Sequence, residues 1–538
     1  MVFTPVVGLA AAQGGYFPTS WGWASVPLFW AAAIALVMRD RVQLNAGERI
    51  FVCALAALAA WTALSAAWSV AFAQSILEVQ RIIVYVAVVS AALLLSRGRF
   101  ARYVLGGLVA AISLIATFSL LTRLVPDRFG VYDGTGVYRL AQPIGYWNGL
   151  GVFVGMGALL AFGFAARART VPVRAVCASL LVILLPTLYF TFGRAAWIAL
   201  AVGLVAAVAI DPRRLQLLVA LIVLGPAAAA AVFAASRAPA LTHAGAPLAR
   251  AAHDGHRAAA VLAILAAANA ILGAGLAYVT DRVAVSLAVR RAFAVVVAIA
   301  ITVSAVVAFG RYGDPVTLSK RAYNAFKAPP PHVAGNLNRR LLSFSGNGRA
   351  DLWRLAWDDA GRHPVLGAGA GTYERYFLAH QPPDVGRVRD AHGLYIETLA
   401  ELGPVGLALL LVVLLTPLAA LRHARHHPLV PAAAGAYLAY LVHTGVDWDW
   451  ELPAVTLVGL LAGGTILLFG RRWRPPRPLS PPTRLLAAAA AVAAAGFAAI
   501  TVIGHSALSR SETARERGEP VRAALDARRA RSLMPWSP

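Results

Sequence analysis

The chain has 538 residues, 59% hydrophobic and only 13% charged, with a mean hydropathy of +0.68. A water-soluble domain is about 45–50% apolar and about 25% charged, so this composition excludes a single soluble fold and calls for lipid as solvent. The net charge of +24 would suggest nucleic acid in a soluble protein; here the basic residues fall in short connectors between apolar runs, a mark of membrane topology, and no nucleic-acid partner is expected.

Apolar runs follow one another along the chain at 2–13, 21–38, 50–68, 76–95, 103–122, 148–166, 175–191, 195–210, 215–235, 257–280, 292–310, 394–421, 429–446, 453–470 and 484–505. In lipid each backbone polar group must be satisfied within its own segment, so these are read as helices, and no alternating barrel pattern competes. The run 2–13 is short for a span. The expected fold is therefore an all-α polytopic membrane protein with 14 or 15 transmembrane helices and one large loop. No basic region precedes the first run and no cleavage site follows it, so no removable signal peptide is expected. Cys53 and Cys177 both lie inside apolar runs, which argues against disulfides and cysteine metal sites.

Charge orients the spans. If connector 39–49 is cytoplasmic, then 96–102, 167–174, 211–214, 281–291, 422–428 and 471–483 must be too, and every one is basic. The opposite short connectors 14–20, 69–75, 192–194 and 447–452 hold a single arginine, Arg194. This places loop 311–393 and tail 506–538 on the extracytoplasmic side of an inner membrane. A connector as long as 311–393 is expected to be functional or disordered. Its second half predicts an amphipathic helix over Ala350–Gly361, with Leu352, Trp353, Leu355, Ala356 and Trp357 at helical spacing. Its first half, around Pro329–Pro331, reads as irregular. The tail resembles the opening of a tetratricopeptide repeat, and one such repeat cannot bury its own face. It is expected to lie on the membrane surface or to begin a longer array. The chain divides into N-terminal helices 1–140, a central membrane unit 141–446, C-terminal helices 447–505 and the tail 506–538.

Ionisable residues at the outer ends of spans are the candidates for chemistry, because charge at that depth is costly. Arg194, in TFGRAAW, either snorkels to headgroups or aims a bidentate guanidinium at a phosphate. Arg349, in SGNGRADLW, is a phosphate ligand or an exposed residue beside a helix cap. His392, in RDAHGLYIETLAELG, sits where the long loop re-enters the membrane beside Tyr395 and Glu397, and an imidazole there suits proton removal from a hydroxyl. Arg339 and Arg340 would suit an anion or the bilayer surface. Glu78 and Arg81 read as a helix pair. Glu397 and Glu401, at i and i+4, could orient His392 or pair with arginines. The turn Asp447–Glu451, with His443 before it, offers carboxylates among belt aromatics. His423, His426 and His427 fall on the cytoplasmic side. No cluster has metal-ligand spacing along the sequence, no glycine-rich phosphate loop follows a strand, and no nucleophile elbow occurs.

These residues carry a resemblance. TFGRAAWIALAVGLV, RADLWRLAWDDAGRHPVLGAGAGTYERYF and AHGLYIETLAELGPVGL resemble, in order and in expected side of the membrane, the motifs of the O-antigen ligase and polymerase family. QPIGYWNGLG at 142–151 is similar to the family's outer loop before an Asn-bearing helix, which here supplies Asn148. The resemblance covers roughly 140–445 and departs at Gly393, where the family usually has Asn. It implies a GT-C-like, metal-independent, inverting glycosyltransferase needing no cofactor. The donor would be a glycan on undecaprenyl pyrophosphate, and the acceptor a lipid or glycan hydroxyl at the outer face. Arg194 and Arg349 would hold the pyrophosphate and His392 would deprotonate or position the acceptor. Arg339, Arg340, Asn148, Tyr395 and Glu397 would line the substrates. Ligase and polymerase share these motifs. A transporter or flippase of lipid-linked glycans would instead want ionisable groups or broken helices at mid-bilayer, and a scaffold would display the tail to partners.

Overall fold

The structure, a computed structural model, describes residues 2–39, 42–96, 100–132, 138–282, 286–328, 335–341, 343–381, 386–471 and 477–537. It is all-α: among the described residues the only paired strands are Gln43–Leu44 and Arg477–Pro478. Twelve helices there are long and apolar enough to cross a membrane. Arg194–Ile210 and Val430–Thr444 are shorter, at 17 and 15 residues. Phe3–Ala11, the run judged short, has nine. The proline PPP segment at 329–331 lies outside the described residues.

The most enclosed helices are Trp147–Arg167 and Pro453–Gly470, whose glycines let neighbours approach closely. One close crossing joins Arg194–Ile210 to Val430–Thr444. A Cβ on Gly203 or on Gly435 would stand 2.5 Å from the carbonyl oxygen of the other, so both positions require glycine.

Connectors assigned to one side by charge do gather at one end of the bundle. Arg471 pairs with Glu48 at 2.6 Å and donates to the carbonyls of Leu93 and Ser96. Arg484 caps the carbonyl end of Trp21–Met38 through Leu36, and Arg167 pairs with Asp211 at 2.9 Å. The basic residues are thus also helix C-terminal partners, where the dipole favours cations.

The long loop holds more helix than expected. Asp314 accepts from the backbone N–H groups of Val316 and Thr317, and with Pro315 in the first turn it starts a helix Pro315–Lys327. The expected amphipathic helix forms as Arg349–Arg362 and buries Leu352, Leu355 and Ala356. Residues 363–371 then wrap against the next span. The N–H of Ala368 donates to the Ala400 carbonyl at 2.9 Å and that of Gly369 to Glu401 at 2.8 Å. Gly367 has φ +74, and a Cβ there would come within 2.4 Å of the Glu401 backbone, which explains the first glycine of HP-x-x-G-x-G. The span itself, Leu394–Ala424, is broken at Gly403, where φ is +66.

The tail folds back on the helix that precedes it. The last span runs unbroken from Pro481 to Glu516, turns at Gly518 (φ +74) and returns as Pro520–Leu533. Met534 then packs so closely on Gly504 that a Cβ there would be 2.6 Å from its side chain. The returning segment buries Ala530 and Met534 there, while Val521 and Leu525 stay exposed.

Candidate active site

The candidate residues meet around Asp447, a fully buried carboxylate in the turn after Val430–Thr444. Its Oδ2 accepts from Arg349 Nη2 at 2.7 Å and from Asn148 Nδ2 at 2.6 Å; its Oδ1 accepts from the Tyr146 hydroxyl at 2.5 Å and from the Trp448 N–H at 2.9 Å. Although burial opposes it, Arg349, then His443 and His392, hold Asp447 below the usual carboxylate range. Tyr146 stacks on Trp448 with ring centroids 4.3 Å apart. Asn148 stands at the start of Trp147–Arg167, so its amide faces this turn while the rest of the helix is core.

Arg349 is not exposed beside a cap. It is the first residue of its helix, paired with Asp447 and only 12% accessible in its side chain, and its Nε is buried without a hydrogen-bond partner. One turn on, at i+4 and therefore on the same face, Trp353 donates from Nε1 to the carbonyl of His392 at 3.2 Å. One helix face thus sets both the arginine and the histidine. Trp353 also accounts for Gly393: a Cβ there would lie 2.9 Å from the indole nitrogen.

His392 adopts φ +55, a left-handed conformation uncommon outside glycine. Its segment is tied by Trp353 and by Glu397, whose Oε2 accepts the Ala391 N–H at 2.5 Å. The Nδ1 of His392 lies 3.0 Å from the Asp390 carbonyl. A carbonyl can only accept, so the proton sits on Nδ1 and Nε2 carries the basic lone pair. Burial, helped by Arg349, keeps the imidazole pKa below its ordinary value, while Asp447 and the Asp390 carbonyl pull the other way.

Arg194 begins the helix after the 191–193 turn. It donates to the carbonyl and hydroxyl of Ser343 and to the Ser345 carbonyl at 2.9 Å, fastening the long loop to the bundle beside Arg340 and Arg349. Arg340 is half-buried, and burial and then Arg349 lower its pKa. Arg339 is exposed on the same short helix. Tyr395 spends its hydroxyl on the Leu441 carbonyl at 2.8 Å, which serves packing. Glu401 accepts from the N–H groups of Gly371 and Tyr373, at 2.8 and 2.9 Å, and so anchors the glycine loop.

Arg139 was not among the sequence candidates. It is 7% exposed, lies over the Trp147 ring at 4.5 Å, and donates to Thr191 O at 2.7 Å and Asn148 Oδ1 at 2.9 Å. Burial first, then Arg340, lowers its pKa. Its signal was an arginine in a connector expected on the arginine-poor side.

No metal-ligand spacing was visible in the sequence, yet the fold brings carboxylate oxygens of Asp390, Glu397 and Glu451 within 4.8 Å of one another. These three are the residues that could hold a cation. Each is engaged otherwise: Glu451 Oε1 pairs with Arg81 at 2.7 Å, Glu397 holds Ala391, and burial followed by the Glu451 charge raises Asp390 well above the carboxylate range. Arg81 also bonds Glu78 at 2.9 Å, the expected i, i+3 pair. This is a buried ion-pair network beneath the His392 segment, and protonation of Asp390 relieves its excess negative charge.

The site therefore combines a cluster of guanidinium groups with one neutral, oriented imidazole. Such a set can bind a multiply charged anion and accept a proton next to it. No curated protein matches the chain. Residues 255–411, which include Arg339, Arg340, Arg349, His392, Tyr395 and Glu397 but not Asn148 or Arg194, match the family model described as O-Antigen ligase, the family whose motifs the sequence resembles.

Proposed function

We propose that this chain is a glycosyltransferase of the outer face of the cytoplasmic membrane, moving a glycan from undecaprenyl pyrophosphate to an acceptor hydroxyl, with 141–446 as its catalytic membrane unit. The observation that carries this reading is the convergence of Arg194, Arg340 and Arg349 beside His392 with Asp447 as the adjoining carboxylate. Asp447 offsets one positive charge of the three. The guanidinium groups left over suit the negative charges of a pyrophosphate diester.

In the reaction the acceptor oxygen attacks the anomeric carbon. The bond from that carbon to the phosphate oxygen breaks, and pyrophosphate on the lipid leaves with the electron pair. The arginines stabilise the charge that grows on the leaving oxygen, a task a metal performs elsewhere. Nε2 of His392 takes the hydroxyl proton. Attack opposite the leaving group inverts the anomeric configuration. Asn148 and Glu397 act through Asp447 and Ala391 as positioning residues, and Arg339 offers charge at the rim.

The test is the chain-length profile of lipid-linked glycan from a strain lacking the gene, complemented with wild type or His392→Ala. The variant should insert normally and restore no transfer. Finished glycan stranded on its carrier identifies a ligase, and single repeat units identify a polymerase. A fully active His392→Ala protein refutes the assignment.

A further inference from the structure

The cation cluster has a member that the motifs do not contain. Among the described residues, Arg139, Arg194 and Arg340 have no carboxylate partner; the acid at the site, Asp447, is committed to Arg349. Buried like charges without counter-ions cost free energy unless a ligand supplies the anion. Arg139 is the most buried of the three and is repelled by both others.

Its setting differs from that of a structural arginine. Arg81 is paired with two carboxylates, Glu78 and Glu451. Arg123 donates to the Tyr138 carbonyl and packs on the Tyr138 ring at 3.7 Å, with only tyrosines acting on its charge. Arg139 instead is held by two acceptors through two of its nitrogens, and its third is unpartnered among the described residues without being buried as Arg81 Nε and Arg123 Nη1 are. Nε is fixed on Thr191 and Nη2 on Asn148, while Nη1 has no partner among the described residues and is not sealed from solvent. The guanidinium is thus preorganised by the bundle and unsatisfied at one edge.

The same short turn, 191–194, supplies the Thr191 carbonyl for Arg139 and carries Arg194. A Cβ at Gly193 between them would stand 3.2 Å from Asn148 Oδ1 and 3.8 Å from Arg139 Nη2. The small residue of the TFGR segment therefore keeps room for Asn148 and Arg139 to approach the turn.

We propose that Arg139 is a further ligand of the diphosphate, binding a phosphate oxygen through Nη1 on the side of the site opposite Arg349. This rests on the pyrophosphate reading above. The test uses full-length protein in nanodiscs and inorganic pyrophosphate as probe, with affinity measured by calorimetry at low ionic strength. Loss of one charge-assisted hydrogen bond is expected to weaken binding by at least about tenfold in Arg139→Gln. Arg139→Lys keeps the charge but loses the two anchors and should fall between. The ligand-free unfolding midpoint is measured alongside, and Lys serves if Gln does not fold. If wild type binds pyrophosphate and both variants bind it equally well, Arg139 is structural and the proposal falls alone. If wild type does not bind pyrophosphate, the anion-site reading falls with it.

Discussion

Asp447→Asn is the sharpest test of how the site is held, because the amide has nearly the shape of the carboxylate but cannot accept at both ends. Asp447 is fully buried and all four of its contacts are donors. If the new NH2 takes the Oδ2 position, it faces Arg349 and Asn148, both N–H donors. If it takes the Oδ1 position, it faces the Trp448 backbone N–H, which cannot rotate away. Either orientation sets a donor against a donor and removes the charge that Arg349 pairs with. A hydrogen bond to a charged group contributes about 1.5–3 kcal/mol, so the variant should lose about that much stability. Asp447→Ala, which leaves the guanidinium of Arg349 without its carboxylate, should lose about 3–5 kcal/mol. Unfolding in mixed detergent micelles, followed by tryptophan fluorescence, measures both. A double-mutant cycle with Arg349→Gln should show a coupling of about 0.5–3 kcal/mol. An Asn variant within about 0.5 kcal/mol of wild type, the range of an ordinary surface change, would refute the description of Asp447 as the saturated hub.

Two further outcomes follow from the same geometry. His392 must be neutral to accept a proton, and its pKa is lowered by burial and Arg349; transfer should be complete at neutral pH and lost only as pH falls through a value below the ordinary histidine pKa of about 6.5. Asp447→Asn, which removes the main influence raising that pKa, should shift the acid limb lower still, and an acid limb centred above 6.5 in wild type contradicts the assignment. Gly393→Asn would restore the residue usual in the resembling family but drive its Cβ into Trp353 Nε1; it should displace the indole from the His392 carbonyl and reduce kcat, seen together with a change in Trp353 fluorescence, whereas an Asn variant of full activity shows that this contact does not position His392.

Much of the architecture was readable because it is written locally. Span positions follow from runs of apolar residues, and the helix at 349–362 follows from periodicity within one turn and the next. The grouping of basic connectors followed from alternation alone, and Arg471 with Glu48 and Arg167 with Asp211 bear it out at two places. What escaped was either capping chemistry that local reading should have used, as at Asp314–Pro315, or pairing between distant segments. Arg349 could not be told from an exposed residue, since its partner lies 98 residues further on and is reached only when two helices pack.

The arginines show where the limit of a sequence reading falls. Scarcity of arginine in the connectors expected outside singled out Arg194 in a three-residue turn, where one cation stands against a clean background. The same rule applied to connector 123–147 returns three, Arg123, Arg128 and Arg139, and cannot rank them. Packing ranks them: Arg128 is exposed, Arg123 is stacked on Tyr138, and Arg139 alone is set among other guanidinium groups. Charge bias along a membrane sequence can therefore name the loops that matter. It is the company of other guanidinium groups, visible only once the helices are assembled, that separates Arg139 from an arginine that closes a helix end.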